Sequence, residues 1–174
     1  EKTFIKPWIR FIKRYLYIHL RDQNSLEIYN ILPEHKEILW INISAPSLGD
    51  SLMDLSSRTM LNSRKVDLFT DKKNSDLYKD DFVFSKVFSD IKQLGECRYD
   101  LVVLDSYSTR SIDIKLKIAR LTPFVGMFGY YNGPEVNRVL FSFHKMNNLL
   151  GYVKNENELN IIARTSMSIS SADQ

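Results

Sequence analysis

A single acidic side chain, Asp50, stands where a carboxylate could do chemistry. It follows the apolar run 38–43 and a loop of mostly small residues, 44–49, and it opens a segment whose apolar residues have helical spacing. A short apolar run rich in branched side chains predicts a strand buried on both faces. Ligands of open α/β sheets collect at such strand-to-helix loops. A carboxylate in this position can accept a proton from an attacking hydroxyl group.

Asp50 also has a purely structural interpretation. Aspartate is favoured at the start of a helix, where it caps free amides and complements the helix dipole. Asp54 lies one helical turn later on the same side and is a rival for the same chemistry. The residues alone leave both alternatives open.

A second segment has the same organisation as the first. The run 99–105 predicts a buried strand that ends at Asp105, residues 106–111 form a hydroxyl-rich loop, and a helix is expected over 112–120. Further elements follow from apolar periodicity and turn residues. They are strands at 65–70, 82–88 and 122–129, a short helix or loop at 71–81, a turn at 130–134, and helices at 135–150 and 155–163.

Strands that alternate with helices predict an α/β fold. We expect a Rossmann-like open parallel sheet with right-handed crossovers and helices on both faces. Three units are expected along the chain: a basic helix and connector (1–37), a Rossmann-like lobe (38–163), and the start of a linker (164–174).

Composition excludes several classes of protein. The chain has 174 residues, 44% of them hydrophobic and 26% charged, which is typical of one globular domain. Its single cysteine, Cys97, excludes an internal disulfide and fits the cytoplasm. The three histidines lie far apart, so no metal site is expected. The glycine-rich loops that bind dinucleotides or nucleoside triphosphates are absent.

The N-terminal segment differs in charge from the rest of the chain. Residues 1–21 hold six basic side chains against one acidic, although the net charge of the whole chain is only +3. Residues 3–20 predict an amphipathic helix that is rich in aromatic side chains. Such a helix can lie in the interface of an anionic membrane, or it can pack on its own domain. Nucleic-acid binding is a weaker alternative, because no recognised reading motif follows.

The motifs of both strand–loop–helix segments resemble those of one enzyme family. Residues 44–52, Ser-Ala-Pro-Ser-Leu-Gly-Asp-Ser-Leu, are similar to the S-x-G-D-x-L loop of glycosyltransferase family nine, the lipopolysaccharide heptosyltransferases. Residues 99–105 with the loop after them resemble that family's Y-D-L-V-I-D strand and R-S loop, and 124–128 resemble its later R-I-G strand. The resemblance covers roughly residues 38–150 and keeps the family's order.

The resemblance implies one lobe of a two-lobed GT-B enzyme. The first lobe of such enzymes binds the sugar acceptor, and the second binds the nucleotide-sugar donor, here expected to be ADP-heptose. This chain would match the first lobe only, so we expect it to be inactive alone. The expected location is the cytoplasm, with peripheral contact at the inner face of the bacterial inner membrane.

The resemblance also implies a chemistry, which is metal-independent, inverting transfer of heptose or a related sugar to a lipopolysaccharide or lipooligosaccharide core acceptor. Asp50 matches the family's catalytic base. The expected acceptor-binding residues come from the two loops: Ser47, Gly49, Ser106, Ser108, Thr109, Arg110 and Ser111. Arg110 would bind a carboxylate or phosphate of the acceptor, unless it is a surface arginine. Arg138 can face the cleft or be solvated on its helix, and solvation is the favoured alternative.

Two other functions remain open at this stage. One is a non-catalytic Rossmann-like module that binds a nucleotide or a glycan, which fits the presence of only one candidate catalytic group. The other is a receiver domain phosphorylated at Asp105, but the acidic cluster and paired lysine of such a site are not evident in the sequence.

Overall fold

The centre of the protein is a five-stranded parallel sheet with helices on both faces. The computed structural model describes residues 2–94, 98–130 and 137–166. The strands lie in the order β3-β2-β1-β4-β5. Their bounds are β1 (Glu37–Asn42), β2 (Lys65–Thr70), β3 (Phe84–Phe88), β4 (Leu101–Leu104) and β5 (Phe124–Gly126).

Six α-helices are present in the described residues. They are α1 (Lys2–Leu20), α2 (Leu48–Asp54), α3 (Lys72–Tyr78), α4 (Thr109–Ile118), α5 (Arg138–Leu149) and α6 (Glu156–Ile162), and short 3₁₀ turns cover Asn24–Leu26, Ser56–Leu61 and Ile91–Gln93. None of these helices is both long and apolar enough to cross a membrane.

The hydrophobic core has two layers because β1 is buried on both faces. Ile38 and Trp40 face a cluster that α2, α3 and α5 complete, whereas Leu39 and Ile41 face a cluster that includes Ile18 of α1. Helix α4 contributes to the second cluster as well. The predicted α/β fold is therefore confirmed, with both faces of the sheet covered.

The predicted elements exist, and the main differences lie at their ends. The segment of helical apolar spacing that Asp50 opens divides into α2 and the 3₁₀ turn Ser56–Leu61. Helix α4 begins three residues before the predicted start, because the Ser108 hydroxyl accepts a hydrogen bond from the amide of Ser111. The predicted turn at 131–134, the first two residues of the helix at 135–150, and 167–174 of the expected linker lie outside the described residues.

The connector predicted between α1 and β1 covers one edge of the sheet. Ile28 donates its amide to the carbonyl of Phe124 in the edge strand β5 (2.9 Å), and Ile31 donates to the carbonyl of Leu149 (2.6 Å). The first bond occupies a group that an exposed edge strand would otherwise leave unpaired, and the second attaches the connector to the end of α5.

Candidate active site

A cavity lies at the point where the strand order reverses. β1 pairs with β2 on one side and with β4 on the other. The segments that follow β1 and β4 therefore diverge above the carboxyl ends of two adjacent strands, which is where open α/β sheets bind ligands. The cavity has a volume of about 250 Å³, and its lining residues are Arg14, Ser44, Pro46, Asp54, Asp105, Ser106, Phe128 and Arg138.

Asp105 joins the two loops of this site. Its Oδ2 accepts hydrogen bonds from the amides of Ile43 (2.9 Å) and Ser44 (2.7 Å), just after β1. Its Oδ1 accepts from the hydroxyl of Ser111 (2.8 Å) and from the amide of Ser106. Both oxygens are thus used within the protein, and Asp105 is buried. This bonding favours a structural role and counts against the phosphorylated receiver site.

Asp50 lies in the first turn of α2 and is held by its neighbours. The hydroxyl of Ser47, the residue that caps the helix, accepts a hydrogen bond from the Asp50 amide (3.2 Å) and donates one to Asp50 Oδ2 (2.6 Å). The preceding loop is fixed from α3, where Lys73 donates to the carbonyls of Ala45 and Pro46. The Asp50 side chain keeps 22% of its surface exposed.

Arg138, in the first turn of α5, bonds both acidic residues of α2. Its Nη1 donates to Asp50 Oδ1 at 2.9 Å. Its Nε and Nη2 donate to the two carboxylate oxygens of Asp54, each at 2.8 Å. The guanidinium carbon also lies 5.3 Å from the centre of the Phe128 ring, within the range of a cation–π contact. The prediction that Arg138 is solvated is therefore wrong.

Asp54 is the more buried of the two carboxylates, with 4% of its side chain exposed. Burial raises its pKa to about 7, although the charge and hydrogen bonds of Arg138 oppose part of that rise. The end of α2 is held to α5 by Ser142, which donates to the carbonyl of Asp54 (2.9 Å). Asp54 thus lines the cavity from a fixed position and titrates near neutral pH.

The structure brings some of the predicted site residues together and separates others. Ser106 lines the cavity, and its Oγ lies 3.4 Å from that of Ser44. Ser47 contacts Asp50, and Gly49 is exposed in the first turn of α2. Asp50 reaches the cavity wall through Arg138.

The remaining predicted residues lie elsewhere. Ser108 and Thr109 line a second cavity, between α1 and α4. Ser111 is buried against Asp105. Arg110 is exposed and pairs with Asp71, while its Nη1 donates to the carbonyl of Ile43 (3.2 Å).

Two arginines of the cavity were not predicted from the sequence to be part of the site. Arg14 is one of the six basic residues of the N-terminal segment, but it is buried and donates to the carbonyl of Tyr130 (2.8 Å). Burial, with help from the charge of Arg10, lowers its pKa, and Asp105 opposes that shift. For Arg138, its position at the start of a helix is a feature of the sequence that indicates contacts with other residues. A cation in the first turn of a helix opposes the helix dipole, which indicates that other contacts keep it there.

Comparison with known proteins gives the fold a context. No protein-family model matches this chain, and no curated protein matches it in sequence. Two solved structures of the E. coli heptosyltransferase WaaC match it, one with ADP and one with ADP-2-deoxy-2-fluoro heptose. Each has a TM-score of 0.50 and 15% sequence identity over 68% of this chain. The fold of this chain is therefore similar to that of part of WaaC.

The structural match covers only part of this chain and only part of the WaaC chain. The aligned region covers 49% of the WaaC chain in the first structure and 50% in the second. This chain therefore spans about half the length of the enzymes it resembles. At this identity the likeness shows the fold alone, which is a Rossmann-like parallel sheet with helices on both faces.

Proposed function

We propose that this chain is the acceptor-binding lobe of a glycosyltransferase that moves heptose or a related sugar to a lipopolysaccharide or lipooligosaccharide core acceptor. The observation that carries the proposal is the placement of Asp50. Its carboxylate lies at the carboxyl end of β1, is partly exposed, and is fixed by Arg138 and Ser47 beside an open cavity. A fixed carboxylate in that position is what a general base for an incoming hydroxyl requires.

The proposed reaction is a single displacement with inversion. An acceptor hydroxyl in the cavity gives its proton to Asp50 as its oxygen attacks the anomeric carbon of the donor sugar. A carbon–oxygen bond forms on one face of the sugar, and the bond to the nucleoside diphosphate breaks on the other, with its electron pair leaving on the diphosphate. A diphosphate leaves readily, so one base with good positioning suffices, and we propose no metal ion.

Asp50 is a better base than Asp54 on geometric grounds. Arg138 occupies both oxygens of Asp54, and only 4% of that side chain is exposed. Asp50 shares one oxygen with Arg138 and one with Ser47, and each oxygen keeps a free lone pair. We therefore assign Asp50 as the base and Asp54 as a positioning residue that orients Arg138.

The acceptor would bind along the two strand-end loops. Ser106 and Ser44 offer hydroxyl groups inside the cavity, and Ser47 and Gly49 form the exposed rim beside Asp50. The donor, proposed to be ADP-heptose, would bind a second lobe rather than this one. The two WaaC structures, which contain ADP or an ADP-sugar analogue, support a nucleotide-sugar donor.

A non-catalytic module that binds a nucleotide or glycan is the alternative. It is favoured by the internal bonding of Asp50, since each of its carboxylate oxygens already accepts one hydrogen bond within the protein. The two functions differ in ligand preference, because an acceptor lobe should bind core oligosaccharide and ignore a free nucleotide.

Calorimetric titration of the chain separates these functions. We expect core oligosaccharide fragments to bind, and Ser106→Val to weaken that binding about fivefold, because it removes a cavity hydroxyl. Ser166→Val, at a serine of the C-terminal segment, is the matched control. Tight binding of ADP with no binding of oligosaccharide would contradict the acceptor role and favour the nucleotide-binding module.

A further inference from the structure

Helix α1 presents its apolar side to solvent. It packs on the rest of the protein through Phe11, Arg14 and Ile18: the Phe11 ring lies 5.1 Å from that of Tyr130, and Ile18 is fully buried. The opposite side of the helix carries a stripe spaced by three or four residues, which places its members on one face. The stripe consists of Ile9, Ile12, Leu16 and Leu20, with Trp8 beside it, and all five side chains are exposed.

This orientation is the reverse of that expected for a surface helix. Helices of globular proteins turn their apolar face to the core and their charged face to water. In α1, Leu20 is 79% exposed and Trp8 is 60% exposed, while the charged Arg14 is buried against the domain. A contiguous apolar stripe that the domain leaves uncovered marks an interaction surface.

Cations border this stripe on one side. Lys6, Arg10 and Lys13 are exposed and line a cavity of about 410 Å³ with Ile9, Arg14, Ser108 and Thr109. Among the residues that the structure describes, no acidic side chain lines that cavity, and the sequence of α1 contains no acidic residue. The cavity also faces the first turn of α4, whose amides favour anions.

We propose that α1 docks on an anionic lipid bilayer. The stripe of Ile9, Ile12, Leu16 and Leu20 enters the boundary between headgroups and acyl chains, with Trp8 at the level of the headgroups. Lys6, Arg10 and Lys13 bind the lipid phosphates. This arrangement of an apolar face beside a basic one is the signature of a helix that lies in the membrane plane.

The charge of the surface decides between a bilayer and a second copy of the chain. An isologous contact through α1 would bring two sets of Lys6, Arg10 and Lys13 together with no acidic residue on either helix to neutralise them. Anionic headgroups supply that neutralisation. The proposal does not depend on sugar transfer, and it can be tested without donor or acceptor.

Vesicle binding by the whole chain tests the proposal. We expect sedimentation with vesicles of phosphatidylcholine containing about 30% phosphatidylglycerol, weak binding to phosphatidylcholine alone, and release at about 0.5 M salt. The emission of Trp8 should shift to shorter wavelength on binding. Trp40 is fully buried, so Trp8→Phe should abolish the shift while binding persists in weakened form.

Two sets of matched variants locate the binding surface. Ile12→Glu with Leu16→Glu should weaken vesicle binding at least about tenfold, and Lys6→Gln with Arg10→Gln and Lys13→Gln should do the same at low salt. The controls remove equal numbers of exposed apolar and cationic side chains elsewhere: Leu121→Glu with Ile161→Glu, and Lys72→Gln with Lys86→Gln and Lys117→Gln. All these side chains are exposed, so unchanged circular dichroism is expected.

Several results would overturn the proposal. One is the absence of binding to the anionic vesicles at low salt. A second is equal loss of binding in the α1 variants and in their controls. A third is a dimer in sedimentation velocity that Ile12→Glu with Leu16→Glu dissociates, because the stripe would then be covered by a second copy of the chain.

Discussion

Arg138 Nη1 lies 2.9 Å from Asp50 Oδ1 and joins the first turns of two helices that are 88 residues apart in the chain. Both helices begin above the carboxyl end of the sheet, so their amino-terminal ends converge on one cavity. The same guanidinium group binds Asp54 through two parallel hydrogen bonds. A single arginine therefore fixes both carboxylates of the candidate active site, and it is the first residue to test by substitution.

At about pH 8, above the Asp54 pKa of about 7, we expect Arg138→Met to destabilise the protein by about 2–4 kcal/mol, because it leaves the buried carboxylate of Asp54 without a partner. Chemical denaturation measures this free energy of unfolding. Arg138→Met combined with Asp54→Leu should recover much of the loss, since the unpaired charge is then gone. A single substitution with no effect on stability would show that the ion pair is not formed in solution.

The raised pKa of Asp54 predicts a specific dependence of stability on pH. The folded protein keeps the Asp54 proton up to about pH 7, whereas the unfolded chain releases it near pH 4. The free energy of unfolding should therefore fall as pH rises between about 4 and 7, by up to about 1.4 kcal/mol per unit from this group.

Asp54→Asn removes this contribution and provides the measurement. The free energy of unfolding of wild type minus that of Asp54→Asn should fall as the pH rises from about 4 to about 7. Above about pH 7 this difference should be constant. Asp76→Asn, at an exposed residue of α3, is the control. Parallel stability curves for wild type and Asp54→Asn would mean that burial does not raise this pKa.

Gly126 at the end of β5 has no room for a side chain. A Cβ atom there would lie 2.5 Å from Cε1 of the buried Tyr107 ring. We expect Gly126→Ala to destabilise the protein by about 1–3 kcal/mol through overpacking. Gly49 is the matched control, because its nearest neighbour would lie at 3.8 Å. Gly49→Ala should be neutral or slightly stabilising in thermal unfolding, and equal effects at both sites would contradict the packing described here.

The sequence predicts the sheet well because its signals are local. Lys65–Thr70 forms a strand with the predicted bounds, since its buried residues are contiguous and polar segments flank them. The strand–loop–helix units at Asp50 and Asp105 also lie together as expected, because parallel strands end at the same edge of the sheet.

The candidate site was harder to predict because its contacts join distant segments. Arg138 looks like a solvated helix residue until α5 is placed beside α2. Ser111 looks like a loop hydroxyl, yet α4 begins early enough to turn it inward to Asp105. The spacing of apolar residues also does not predict which side of α1 is buried. Ile18 and Leu16 are both apolar, and only the tertiary fold determines which one is buried.

Steady-state sugar transfer by Asp50→Asn in the protein at its natural length, with nucleotide-sugar donor and core acceptor, tests the central claim most directly. Asn keeps the shape of the side chain and removes its ability to take a proton. We expect kcat to fall by about 10³-fold or more, while the KM for the acceptor and the thermal stability change little. Activity within about threefold of wild type would remove Asp50 from the mechanism and contradict the assignment of a general base.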